Sequence, residues 1–157
     1  VHPIAIIAAY EGVILVQHMI ERRTVYNAAE VESTRLGVPL LVVGCPKWGV
    51  HHGHGDATLD LEHIPGRCRC PNPITANLMD VDKILPPKSA VIYSSHVLEH
   101  LTAEEGNRAV EAMNKVAVAQ FHVWPSKWHL SAWAAPSHRS WPRVEGNTIV
   151  FEDRNTV

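Results

Sequence analysis

Apolar residues fall into short runs bounded by glycine, proline and charge, and these runs lay out the elements. Residues 4–20 are apolar except for Tyr10, Glu11, Gln17 and His18, and Glu21-Arg22-Arg23 closes the run. Val25, Ala28, Ala29, Val31 and Leu36 continue it at helical spacing with charges between, until Gly37 and Pro39 supply a stop. The pattern predicts one long helix, or two with a bend, over 1–37. Residues 39–44 are a fully apolar strand, as a central parallel strand covered on both faces requires. Residues 56–61 alternate and predict a second strand ending in an acid, Asp60. A third strand is expected over 74–79, with Asp80 and Asp82 at its end. The run Ala90-Val91-Ile92-Tyr93 leads into Ser94-Ser95 and then into His96-Val97-Leu98-Glu99-His100-Leu101, which reads as buried strand, turn and helix start. Thr102 and Glu105 have capping-box spacing ahead of a helix that buries Ala109, Val110, Ala112, Met113 and Val116. A fifth strand over 118–124 ends at Pro125, and a last one is expected over 147–151 after a tail carrying Trp128, Trp133 and Trp141.

Strand, glycine turn, acid-ended strands, Ser-Ser-His strand, helix and strand form the order of an open, mostly parallel Rossmann-like α/β sheet, with its ligand at the carboxyl ends of the strands. Only ten residues separate Gly49 from Asp60, too few for a full crossover helix, so reduced crossovers are expected. The expected division is a helix over 1–37 and an α/β domain over 38–157.

Length and composition narrow the function. A chain of 157 residues suits one core, burying roughly 70% of its unfolded surface. Its 14 Lys+Arg against 16 Asp+Glu give no broad basic surface, which disfavours a nucleic-acid partner. Cys45, Cys68 and Cys70 are an odd number, and the close pair has poor disulfide geometry, so a reducing, cytoplasmic compartment is the simpler expectation. No cleavage pattern of small residues follows the apolar run, and secretion is not expected. Residues 4–20 sit at the short end of what spans a bilayer, and Glu11 near the middle opposes spanning. Two readings stand for that helix: an anchor holding the domain to the cytoplasmic face through Arg22 and Arg23, or a helix packed on the domain or on a second copy.

Two chemistries can be written into residues 96–100. His96-x-x-Glu99-His100 matches the inverted zinc-protease motif, in which two histidines on one helical face bind zinc beside a glutamate base. Cys68-x-Cys70 with nearby histidines lacks the common zinc spacings, and no metal is expected there. Taken with the strand before it, Ser94-Ser95-His96-Val97-Leu98-Glu99-His100-Leu101 resembles the fourth strand and following loop of class I S-adenosylmethionine-dependent methyltransferases. The resemblance covers roughly residues 38–124. It implies a glycine-rich cofactor turn at Gly44, Cys45, Pro46 and Gly49, though Val43 stands where an acid is usual and Pro46-Lys47 replace part of the glycine pattern. It further implies a ribose-binding carboxylate at Asp60 beside Leu61, an adenine contact at Asp80, cofactor contacts at Ser94 and Ser95, and His96 as the base. The context favours this reading, with S-adenosylmethionine as cofactor, an acceptor the sequence does not identify, and no metal. A non-catalytic cofactor-binding or scaffold protein with a degenerate methyltransferase fold is the alternative, and a zinc hydrolase using His96, Glu99 and His100 is the second.

Overall fold

The computed structural model describes residues 3–45, 53–63, 70–127 and 129–154. The N-terminal pattern forms one continuous helix, α1 (Pro3–Leu36). Gly37 ends it in the left-handed region at φ 65°, a conformation glycine adopts without a Cβ penalty. The Gly37 N–H donates to Thr34 O and the Val38 N–H to Ser33 O, the two reversed bonds that close a helix terminus. Among the described residues no helix is long and apolar enough to cross a membrane.

Five parallel strands follow: β1 (Leu40–Val43), β2 (Ala57–Asp60), β3 (Pro73–Thr75), β4 (Ala90–Ser95) and β5 (Ala117–Val123). Their order in the sheet is β3-β2-β1-β4-β5, the expected Rossmann-like α/β arrangement. The chain passes from β1 to β2 through residues 44–56, and no helix occurs in the described part of that connection.

Strand periodicity sorts the core into two layers. Leu41, Val43, Ala90 and Ile92 face one side, where Ala109, Ala112, Met113 and Val116 of α3 (Ala103–Val116) cover them. Leu40, Val42, Val91 and Tyr93 face the other, against Tyr26 and Ala29 of α1. Thr102 caps α3 with both bonds of the capping box, as its spacing with Glu105 predicts.

Three elements differ from expectation. The third strand stops at Thr75, because the Asn77 side chain accepts the Met79 N–H and starts a 3-10 turn over Leu78–Asp80, continued by the short α2 (Val81–Ile84). The helical pattern expected from His96 does not form there. His96 has a left-handed backbone (φ 55°), Leu98–His100 make one 3-10 turn, and the α-helix begins only after Thr102. The tail contains a short helix, α4 (Leu130–Ala134), and an antiparallel hairpin of β6 (Ser140–Glu145) and β7 (Thr148–Asp153), a separate two-stranded sheet.

Candidate functional site

The carboxyl ends of three strands come level at one place. Val43 is in register with Leu59 on one side and Ser94 on the other, which sets Gly44 beside Asp60 and Ser95 at the sheet edge. Here the strand order reverses, between β1 and β4, and in open α/β sheets such a reversal opens a crevice for ligands.

Each expected site residue has a definite place. Gly44 takes φ 86°, and a Cβ there would stand 2.6 Å from Val97 Cγ2, so the glycine admits the loop after β4. Asp60 Oδ2 accepts the Cys45 N–H at 2.7 Å, which ties the turn after β1 to the end of β2. Cys45 is buried and disulfide-bonded, and its Sγ lies 3.5 Å from Cys70 Sγ. A disulfide at Cys45 corrects the expectation of reduced cysteines, which weighed only the pair adjacent in sequence. Cys70 itself is a free thiol, so the fold brings it against the β1 turn without bonding it to Cys45. Leu61 is exposed at the edge. Ser94 is buried, and its hydroxyl donates to His122 Nδ1 at 2.7 Å, while Ser95 ends β4 half-buried. Pro46 and Gly49 lie outside the described residues.

Asp80 is set apart from these residues. It lies within the 3-10 turn after Asn77, and its Oδ1 accepts from Lys83 Nζ at 2.6 Å in an exposed ion pair. The strand expected to lead into Asp80 stops at Thr75, so the residue follows a turn and not a strand end.

Histidines gather on the other side of the β4 edge. His96 donates its backbone N–H to Val123 O at 2.9 Å, and its Nδ1 lies 3.1 Å from Glu99 Oε1. The His18 ring from α1 stands 5.7 Å from that of His96 and 4.5 Å from that of His129. Burial first, then the facing His129 and His96, pushes His18 down to about 4, which leaves it neutral near pH 7. His18, Arg22, His96, His129 and His138 line a cavity of about 470 Å³ between α1 and α4. Glu11 reinforces this wall, its Oε1 accepting the Leu130 N–H at 3.1 Å.

The zinc-protease motif is not formed as its spacing suggests. Two histidines at i and i+4 share a face only on an α-helix, and the left-handed His96 followed by a 3-10 turn separates them. His96 turns to Glu99, whereas the His100 ring meets His138 at 5.1 Å. Sequence reasoning missed His18, Arg22, His129 and His138, which approach from α1 and from the tail on either side of α4. The abundance of histidine was the one signal for them. Searched against family models, curated proteins and solved structures, the chain matches none.

Proposed function

We propose that the chain is an S-adenosylmethionine-binding protein of the methyltransferase type, passing the sulfonium methyl to an acceptor held in the histidine-lined cavity. The observation that carries this reading is the level placement of Gly44, Asp60 and Ser95 at the strand-order reversal. A backbone turn without a Cβ, a carboxylate at the end of β2 and a hydroxyl at the end of β4 offer the shape and the acceptors that a nucleoside needs. His96 follows directly and reaches both this edge and the cavity.

The chemistry asks mainly for alignment of the methyl carbon with a nucleophile, so proximity supplies much of the rate. As the acceptor bonds to the methyl carbon, the carbon–sulfur bond breaks and S-adenosylhomocysteine leaves. Where the acceptor carries a proton, His96 receives it, with Glu99 beside Nδ1 stabilising the imidazolium.

Calorimetric titration of the full chain with S-adenosylmethionine and S-adenosylhomocysteine tests the reading. Saturable binding of both, weakened by Asp60→Asn, is expected. Failure of both to bind overturns it and leaves the scaffold alternative.

A further inference from the structure

Glu99 is the most enclosed charged side chain near the cavity. It is fully buried, and among the described residues neither carboxylate oxygen has a hydrogen-bond partner. His96 Nδ1 lies 3.1 Å from Oε1 and pairs with it as an ion only when the imidazole is protonated, and Arg22 Nε is itself buried without a hydrogen-bond partner. A carboxylate taken out of water without a partner is strongly disfavoured, and a bound cation relieves that cost.

Two imidazoles stand ready beside it. Ligand atoms of Glu99, His100 and His138 all lie within 4.8 Å of one another. His100 Nδ1 donates to Ser137 O at 3.0 Å, a bond that fixes the proton there and leaves the lone pair on Nε2. The His138 ring bonds the backbone of Ala132, and its Nδ1 is buried with no partner. Ring nitrogens oriented by backbone carbonyls are the usual outer support of metal-binding histidines. The Arg139 N–H donates to Glu99 O at 2.8 Å and clasps the two loops that carry the three groups.

We infer that Glu99, His100 and His138 form a binding site for one divalent transition-metal ion, best suited to Zn²⁺. Two imidazoles and one carboxylate select such an ion over Mg²⁺ or Ca²⁺, which favour all-oxygen shells. Three protein ligands leave a coordination position open, and His138 and His96 place it beside the cavity. An oxygen-bearing ligand in the cavity is the natural fourth donor. The site replaces the sequence expectation of no metal, uses a ligand set different from the inverted-protease motif, and does not rest on the cofactor reading.

The test takes the full chain stripped by a chelator and titrates it with Zn²⁺ by calorimetry, and with Co²⁺ by visible absorption. One ion per chain and a rise in melting temperature on Zn²⁺ are expected. Glu99→Gln and His138→Ala each remove a ligand, and each should weaken binding by more than the roughly 10–100-fold that loss of an outer partner costs. His63→Ala, at a half-buried histidine whose Nδ1 lies 3.2 Å from Thr75 Oγ1, should leave binding unchanged. Because Glu99 is buried, His138→Ala carries the decision if Glu99→Gln does not fold. No uptake by the wild type overturns the assignment, as does uptake that survives His138→Ala. Loss on His54→Ala alone would put the ion beside Cys70 and also overturn it. Titration of S-adenosylmethionine into the same variants separates failure here from failure of the cofactor reading.

Discussion

The Cys45 N–H donates to Asp60 Oδ2 at 2.7 Å, so the carboxylate expected to hold a ribose also holds the turn that would face it. The two roles separate by substitution. Asp60→Asn keeps an oxygen for Cys45 and loses only the charge, so its melting temperature should stay near wild type while cofactor affinity falls. Asp60→Ala removes both and should destabilise by about 1.5–3 kcal/mol, the scale of a bond to a charged group. Chemical denaturation beside calorimetry reads the difference. Equal stability of Asp60→Ala and wild type would show that the turn does not depend on this bond.

Asp56, just ahead of β2, ties the start of that strand to β1. Its Oδ2 accepts the Leu40 N–H at 2.8 Å, and its backbone N–H donates to Leu40 O at 2.9 Å. Asp56→Ala should therefore lower stability by about 1–3 kcal/mol with little effect on cofactor affinity, measured by denaturant midpoint and titration.

Gly44 combines a left-handed backbone with a close neighbour. Gly44→Ala should cost about 1–3 kcal/mol for the backbone alone, plus the contact with Val97 Cγ2. Val97→Ala in the Gly44→Ala background should recover part of the loss, so that a double-mutant cycle gives a favourable coupling. A coupling of zero would show that the β4 loop does not pack on Gly44.

Acid should unfold the protein partly through His122. Burial pushes this imidazole down from its ordinary value to about 4, and Ser94 donates to its Nδ1 while Nε2 faces Gln120 Oε1 at 3.0 Å. The unfolded chain takes up a proton near pH 6.5 that the folded chain refuses until about 4. Stability from this group is thus complete above about 6.5 and lost as pH falls toward about 4. His122→Gln should flatten the pH dependence of the melting temperature within that window, and an unchanged slope would assign the acid sensitivity to other groups.

The first half of α1 presents Ile6, Val13 and Ile20 to solvent, at 59%, 59% and 62% exposure. Replacing all three with glutamate should change monomer stability by no more than about 0.5 kcal/mol per site, the ordinary surface scale. A large drop in melting temperature, together with a lower mass in sedimentation, would show that a second copy covers this face.

Sheet periodicity made the strands and both faces of the core legible, because Leu40 to Val43 and Ala90 to Tyr93 are apolar on both sides, as only a covered central strand is. The stop at Gly37 and the Thr102 cap were legible for the same local reason. β6 was hidden because Pro142 lies inside it, and proline argues against a strand except at an edge, which a two-stranded ribbon consists of. Spacing across residues 96–100 misled because it assumes an α-helix where the backbone at His96 turns left-handed. His138 was beyond reach: its meeting with Glu99 and His100 joins loops 38 residues apart through backbone bonds, and those leave no periodic trace in the sequence.

α1 is one unbroken rod of 34 residues, about 51 Å at 1.5 Å per residue. Tyr26 and Ala29 seat it against Tyr93 and Val42, while His18, about 12 Å back along the same axis, forms part of the cavity wall. One element thus serves two places at once: the helix whose Tyr26 and Ala29 pack on the sheet also supplies His18 and Arg22 to the cavity wall, so the width of the cavity is set by how that helix seats on Tyr93 and Val42.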